Sequence, residues 1–366
     1  MNAKWTCKTM TLIVAGLFGL VGCGSSSEDG ATGALTIGLT DGPVDNAEAI
    51  HIQFTGLELK SAGGPAEIYP IDPDSCDVAD AAGNCTIDIM RLQGTEYRTL
   101  FSKDLPAGDY QWVRLLVNAE QNVDDSYVTL EKEDKSLMDC PLWIPSGGET
   151  GLKIVSGMTV TANGVSNYML DFDARTSITA PPGLTSLVEE CLQNYILKPA
   201  IRIVDETEAG SIAGAIDPSV LNTLNAQNEE VLIDGCRDEG TDGIVDHLDV
   251  YVFEDFDAQN NPAIADDYDG QNDPITSAIA KWNGTNSTYE YEVGYLRAGD
   301  YKLGLTCTAD VDVMPNDNGL IADNFNCDSA NTTTCQATDP PFDFVAERDV
   351  SIVIGSLGND GDFPAP

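Results

Sequence analysis

The chain has 366 residues, of which 60 are acidic and 18 are basic, so its formal net charge at pH 7 is −42. Such a negative field repels nucleic acid and anionic lipid surfaces, which excludes a nucleic-acid-binding protein and indicates a well-solvated acidic surface. The length predicts two domains, each large enough to bury a core of its own.

The N-terminus has the pattern of an export signal. Lys4 and Lys8 precede an apolar run over residues 10–20, and a Leu-Val-Gly-Cys sequence then ends at Cys23. The run is about half the roughly 20 residues that a helix needs to cross a bilayer, so it predicts a cleaved signal peptide over residues 1–22. The ending resembles the lipobox of bacterial lipoproteins, and this resemblance implies lipid attachment at Cys23.

Residues 23–33 are rich in Gly and Ser and predict a flexible tether behind the lipid. Position 24 is Gly rather than Asp, which in the lipoproteins that the ending resembles implies an outer-membrane location, facing the periplasm or the cell surface. An ordinary thiol at Cys23 behind a cleaved secretory signal is the alternative. Cleavage removes two of the 18 basic residues and no acid, so 16 basic and 60 acidic residues remain, with a formal charge of −44.

Eight further cysteines divide evenly between the two halves of the chain, and no C-x-x-C motif occurs. This distribution predicts structural disulfides in an oxidising compartment rather than zinc or redox chemistry. The preferred pairs are Cys76 with Cys85, Cys140 with Cys191, Cys236 with Cys307, and Cys327 with Cys335. Four cysteines allow three connectivities within each half, so the pairing inside a half stays open.

Alternation of apolar and polar residues predicts strands throughout. In the first half it marks residues 34–40, 50–54, 110–117 and 159–172, the last interrupted by Asn163-Gly164, a hairpin signal. In the second half it marks residues 211–216, 248–253, 277–282, 289–295, 300–306 and 349–354. We therefore expect an all-β fold of two antiparallel β-sandwich domains, the first over residues 34–205 and the second over residues 206–366.

A similar six-residue motif occurs once in each half of the chain, and we call it the repeated phrase. Leu-Pro-Ala-Gly-Asp-Tyr at residues 105–110 recurs as Leu-Arg-Ala-Gly-Asp-Tyr at residues 296–301. Physically, Ala-Gly-Asp forms a tight turn in which Gly can adopt positive φ, and the Tyr then begins a strand. The repeat predicts that both sandwiches have a similar build, and coincidence of a common turn is the alternative.

The first half resembles the bacterial domain of unknown function numbered 4382, found in exported lipoproteins. The matching phrases begin at residues 35–45 and 54–59 and continue through 105–115, 151–154, 171–175 and 197–202. The second half resembles carboxypeptidase-regulatory-like and carbohydrate-binding-like sandwiches in its opening at residues 210–216 and its turn at residues 295–305, where Arg297 replaces the usual Pro. These resemblances imply a non-catalytic role in binding or spacing.

Signatures of catalysis are missing from the sequence. The two histidines, His51 and His247, occur in no H-E-x-x-H motif, and neither G-x-S-x-G nor a phosphate-binding G-x-x-x-x-G-K-[ST] is present. We therefore expect a protein that is not an enzyme and that uses no organic cofactor.

One acidic stretch has the spacing of a calcium loop. Asp238, Asp242, Asp246 and Asp249 occupy loop positions 1, 5, 9 and 12, with Gly243 at position 6, and hard oxygens converging from a sharp turn are what Ca2+ requires. Position 3 is Gly and position 12 is Asp rather than Glu, which departs from the EF-hand pattern. A solvated acidic surface loop is the alternative.

Exposed aromatic rings could stack on sugars, and Trp282, next to Asn283-Gly284, and Trp143 are the candidates. Trp112 is expected in the core instead, as large aromatic residues usually are, and a core position is the favoured alternative for Trp282 as well. Two functions stay open: a lipid-anchored binding or adhesion module with glycan as a possible ligand, and a structural spacer or assembly partner that contacts other envelope proteins.

Overall fold

A computed structural model describes residues 30–42, 47–132, 134–145, 152–154, 157–179, 191–198, 200–225, 227–233, 235–238, 242–254, 274–309, 344–356 and 358–365. The fold is all-β with several sheets, as the alternation predicts. An α-helical turn, α1, spans Ala174–Ser177, and residues 191–193 are also helical. Short 3-10 helices span Pro73–Ser75, Ile89–Arg91, Glu206–Glu208 and Pro218–Leu221. No helix within these ranges has the length and hydropathy to span a membrane.

The strands of the first half are β1 (Thr32–Gly42), β2 (Ala49–Ser61), β3 (Ala66–Tyr69), β4 (Val78–Ala79), β5 (Cys85–Asp88), β6 (Arg98–Pro106), β7 (Gly108–Asn118), β8 (Tyr127–Glu131), β9 (Leu137–Trp143), β10 (Leu152–Ile154), β11 (Met158–Val160), β12 (Val165–Asp173), β13 (Ile178–Thr179), β14 (Tyr195–Leu197) and β15 (Ile201–Asp205). Those of the second half are β16 (Ala209–Ile216), β17 (Asn222–Leu224), β18 (Glu230–Leu232), β19 (Asp249–Glu254), β20 (Thr276–Ile279), β21 (Lys281–Asn283), β22 (Thr288–Arg297), β23 (Gly299–Thr306), β24 (Ala346–Ile352) and β25 (Asn359–Asp360).

The first half is a sandwich of two unequal sheets. The smaller sheet has the order β15-β12-β1-β6, and the larger, with eleven strands among the described residues, runs β10-β7-β2-β8-β9-β14-β13 with β3, β4, β5 and β11 attached. Period-2 alternation aims one side chain in two at the space between the sheets. Leu35 and Ile37 of β1 and Ile52 and Phe54 of β2 are fully buried there, in a core drawn from residues 35–203.

The second half repeats this plan with two four-stranded sheets, β21-β22-β16-β25 and β20-β19-β23-β24. Its hydrophobic core is drawn from residues 212–363 and includes Ile212, Val250, Val293 and Leu303. A separate hairpin, β17–β18, stands apart from both sheets and leaves Leu224 and Leu232 exposed. The described residues thus form two large cores, each between its own pair of sheets, and a third small cluster of Tyr251, Phe253 and Ala309.

The two halves share one strand topology. In the first half, β1 pairs antiparallel with β6, which ends in the repeated phrase, and parallel with the later strand β12. In the second half, β16 pairs antiparallel with β22, which also ends in the repeated phrase, and parallel with the later strand β25. After the Ala-Gly turn, the chain crosses to the opposite sheet as β7 or β23, which pairs with β2 or β19. The register also corresponds, because Gly33 lies opposite Leu105 and Gly210 lies opposite Leu296.

The repeated phrase forms the same polar contacts in both copies. The Tyr110 hydroxyl donates to the Pro106 carbonyl oxygen at 3.1 Å, and the Tyr301 hydroxyl donates to the Arg297 carbonyl oxygen at 2.7 Å. Each Asp accepts a hydrogen bond from a hydroxyl on the edge strand beside it, Thr159 on Asp109 and Ser351 on Asp300. Similar contacts at corresponding corners support the prediction that the halves are alike in build.

Removing either tyrosine hydroxyl is expected to destabilise the chain modestly. Tyr110→Phe and Tyr301→Phe each delete one hydrogen bond that ties strand to corner, so the free energy of unfolding should fall by about 1 kcal/mol for each. Urea unfolding followed by circular dichroism measures this change. Tyr97→Phe is the control, since the Tyr97 hydroxyl makes no hydrogen bond within the described residues. Equal stability of all three variants would contradict a stabilising role for the Tyr110 and Tyr301 hydrogen bonds.

Three expectations need correction. The sheets are not wholly antiparallel, since β1–β12, β16–β25 and β9–β14 are parallel pairs. Asn163-Gly164 makes a turn, with Asn163 at φ 54°, but β11 and β12 on either side belong to different sheets and form no hairpin. Trp112 is half-buried on the outer face of β7 rather than in the core, because Val113 and Leu115 take the inward positions.

Candidate functional site

Three of the four predicted disulfides are present in the structure. Cys76 bonds to Cys85, Cys140 to Cys191 and Cys236 to Cys307, across sequence separations of 9, 51 and 71 residues. The pairings therefore agree with the preferred connectivity in the first half and with one bond of the second. The fourth predicted pair, Cys327 with Cys335, lies outside the described residues, as does Cys23.

The predicted calcium loop keeps three of its four acids near one another. The Asp238 carboxylate accepts from the backbone N–H groups of Asp242 at 3.2 Å and Gly243 at 2.7 Å, while the Asp246 N–H donates to the Arg237 carbonyl oxygen. Within the described ranges no group of three or more His, Cys, Asp or Glu side chains is arranged to hold a metal ion. Residues 239–241 lie outside those ranges, and calcium binding stays a prediction.

The fourth acid of that loop, Asp249, lies elsewhere. It is the first residue of β19 and is fully buried, with its Oδ2 2.9 Å from the Arg175 guanidinium of α1, which is itself only 7% exposed. The guanidinium also lies 5.2 Å from the centre of the Tyr251 ring, within the range of a cation–π contact. An ion pair between residues 74 positions apart thus connects the two halves of the chain at a buried point.

Further contacts extend this junction. The Tyr295 hydroxyl donates to the Thr95 carbonyl oxygen at 3.0 Å, and Arg297 donates to the Ile203 carbonyl oxygen at 3.3 Å. Gly294 and Gly94 approach so closely that a Cβ on Gly294 would lie 2.2 Å from the Gly94 oxygen. Tyr295 adopts φ 52°, an uncommon conformation for a residue with a side chain, at the point where the β16–β22 register shifts.

An open groove of about 570 Å³ lies along the same junction. Its floor is the small-residue stretch 213–215 of β16, and Gln93 and Gly94 of the first half form one of its walls. Lys281, Glu292 and Asp362 supply charges of both signs at its rim. Polar and apolar surface contribute about equally to the groove, and the residues that line it include no set of convergent catalytic groups.

The outer face of the large sheet carries a cluster of cations around one indole ring, which we call the basic face: Trp112, Arg114, Lys153 and Lys60. Arg114 and Lys153 each lie 4.8 Å from the centre of the Trp112 ring. In register, Lys153 of β10 stands opposite Arg114 of β7, and Lys60 of β2 stands opposite Trp112. Glu58 contributes a carboxylate, 2.6 Å from Arg114. No residue of this cluster other than Trp112 stood out in the sequence.

The two tryptophans proposed from the sequence occupy different environments. Trp143 is half-buried on the outward side of β9, beside inward-facing Leu142. Trp282 packs against the hydrophobic core of the second half, and its ring contacts the Tyr289 ring edge-to-face, with 4.9 Å between the ring centroids. Part of the indole surface is therefore covered by these contacts. Burial raises the pKa of the Tyr289 hydroxyl, which accepts a hydrogen bond from the Val245 N–H at 2.6 Å.

These features define an all-β, disulfide-bonded protein of two sandwiches with a buried ionic junction. Residues 32–199 match the family model described as "Domain of unknown function (DUF4382)", which confirms the resemblance of the first half. The carboxypeptidase-regulatory-like resemblance of the second half stays a prediction. No curated protein matches the sequence.

Similarity to solved structures is slight. A leucine-rich repeat protein from Bacteroides thetaiotaomicron aligns at 10% identity with a TM-score of 0.18, over 91% of this chain and 26% of that one. The Bacillus anthracis TIE protein aligns at 9% identity with a TM-score of 0.15, over 91% of this chain and 33% of that one. The fimbrial anchor protein Mfa2 from Porphyromonas gingivalis aligns at 8% identity with a TM-score of 0.15, over 76% and 79% of the two chains. The chain thus spans a third or less of the first two, and TM-scores this low carry no argument about function.

Proposed function

We propose that the chain is a lipid-anchored, non-enzymatic protein of the outer membrane whose sandwiches present a binding or adhesion surface outside the cytosol. The three disulfides are the observation that supports a place outside the cytosol, since Cys140–Cys191 and Cys236–Cys307 join distant segments and such structural bonds are typical of oxidising compartments. The predicted export signal agrees with them.

The anchor in this proposal is Cys23. Its acyl chains would each contribute roughly 0.8 kcal/mol per buried CH2 group, and two or more chains give stable attachment where one does not. The tether predicted over residues 23–33 is shorter in the structure, because β1 begins at Thr32, and residues 23–31 reach about 30 Å when fully extended. This distance lets the first sandwich stand clear of the lipid headgroups.

A carbohydrate is the ligand class that this proposal favours. The outer face of the large sheet offers the half-buried rings of Trp112 and Trp143 together with fixed charges, and such surfaces suit sugars, which present both apolar ring faces and polar groups. Calcium remains a possible accessory ligand of the loop that contains Asp238.

The second candidate is a structural spacer or envelope-assembly partner without a small ligand. The junction favours it, because a buried ion pair and several interdomain hydrogen bonds restrain the two halves in one relative arrangement. A spacer protein needs its two halves to be held in a fixed relative arrangement, whereas a binding module needs only one surface that fits its ligand.

Protease shaving of intact cells that produce the full chain tests the binding role. We expect proteinase K to release peptides from residues 34–366 while a periplasmic marker protein stays intact. Release only after the outer membrane is permeabilised would contradict adhesion at the cell surface and would leave the spacer role inside the envelope.

A further inference from the structure

We propose that the basic face binds the carboxylate of a uronic-acid-containing glycan. This inference rests on the proposed binding function and adds to it a site and a ligand class. The site comprises Trp112, Arg114, Lys153 and Lys60, which neighbouring strands β2, β7 and β10 bring together on one side of the large sheet.

The two cations nearest the indole repel each other, and the carboxylate of Glu58 pairs with only one of them, Arg114. Arg114 and Lys153 lie directly opposite each other on neighbouring strands, and like charges in that position destabilise a sheet. The Trp112 ring attracts both cations, which reduces this cost but leaves their charge in place. A bound carboxylate would lie between two cations that already point at the same ring.

The basic face holds more cations than acids in a chain that is strongly acidic overall. Elsewhere in the chain, cations such as Arg202 and Lys302 lie within ion-pair distance of an acid. On the basic face, Glu58 pairs with Arg114, while Lys153 and Lys60 form no ion pair with an acid in the described part of the chain. The Lys60 ammonium donates instead to the Gly64 carbonyl oxygen. Three cations therefore face one carboxylate.

Other anionic partners fit this surface less well. A dense polyanion or an anionic membrane would meet the field of a chain with a net charge of −42, whereas a single carboxylate within a Debye length of about 8 Å meets mainly the local cations. An acidic peptide would add to a strand edge, but these residues span the face of three strands. A sparse sugar acid avoids both difficulties.

The surroundings also suit a sugar ring. Ile68 of β3 stands in register with Glu58 and is 65% exposed, so it lies in the same cross-strand row as Arg114 and Lys153. The half-buried indole and this aliphatic side chain give apolar surface to the ring, and the cations give charge-assisted hydrogen bonds to the carboxylate.

Isothermal titration calorimetry on the full chain, purified in mild detergent, tests the inference. The probes are a hyaluronan hexasaccharide, which carries glucuronate, and chitohexaose, which has the same length and no carboxylate. We expect the hexasaccharide to bind at least about tenfold more tightly than chitohexaose. Trp112→Leu, Arg114→Gln and Lys153→Gln should each weaken that binding by about tenfold, as loss of one charge-assisted or stacking contact predicts.

A matched control separates this site from others. Lys103→Gln removes an exposed lysine that lies 5.8 Å from the Tyr69 ring, so this variant should bind like the unaltered chain. Lys153 is exposed, so its substitution does not endanger folding.

Several results would overturn the inference. They are absence of hexasaccharide binding, equal binding of chitohexaose, equal binding of a hexaglutamate peptide, or a loss with Lys103→Gln as large as the loss with Lys153→Gln. Each of these leaves the protease-shaving result unaffected, so failure of the site and failure of the proposed function can be told apart.

Discussion

Replacing Asp249 by Asn is expected to lower the free energy of unfolding by about 3–5 kcal/mol. The substitution removes the carboxylate 2.9 Å from Arg175 and so takes one negative charge away from a buried guanidinium. Removal of one partner costs more than the pair contributes, because the remaining ion still carries its full desolvation penalty. Arg175→Met should have an effect of similar size for the same reason.

Urea unfolding, followed by circular dichroism and by tryptophan fluorescence, measures this loss. The double variant Arg175→Met/Asp249→Leu is the matched control, since it replaces the ion pair by apolar side chains and should regain most of the lost stability. Because the pair joins α1 to β19, both halves of the chain should become less stable together. Single variants within 1 kcal/mol of the unaltered chain would contradict a buried, energetically coupled junction.

Replacing Cys23 by Ser is expected to move the protein from the membrane fraction to the soluble fraction. Stable attachment is proposed to depend on acyl chains bound through the Cys23 thiol, which serine lacks. Cell fractionation followed by immunoblotting measures the distribution. Cys7→Ser, which alters a thiol inside the predicted signal peptide, is the matched control and should leave the protein in the membrane fraction.

Regular alternation made much of the fold predictable. The strictly alternating residues 50–54 lie within β2, with Ile50, Ile52 and Phe54 buried as expected. By contrast, β6 combines two adjacent buried residues with three adjacent exposed ones, so no period-2 pattern marks it. Sequence pattern reports a strand only where one face is uniformly buried.

The alternation of inward and outward side chains along β7 was sufficient to predict the outward position of Trp112. Val113 and Leu115 are apolar and alternate with Arg114, which requires the neighbouring even-numbered positions of β7 to face outward. The general tendency of large aromatic residues to be buried conflicted with that local pattern, and the local pattern was right. Trp112 consequently belongs to the outer face, where the cations surround it.

The junction could not be predicted from the sequence. Asp249 follows a run of acids whose spacing indicated a metal loop, and only the packing of β19 against α1 separates it from them. Arg175 has no local pattern that distinguishes it from a surface arginine. A pair of charges 74 residues apart becomes recognisable only when the fold brings both into one buried place.

Mass spectrometry of the N-terminal peptide of the mature protein tests the central claim, attachment by lipid outside the cytosol, most directly. Purified from membranes of cells that produce the full chain, that peptide should begin at residue 23 and carry the mass of covalently bound acyl chains on Cys23. A mature protein that retains residues 1–22, or that begins at an unmodified Cys23, would contradict the account.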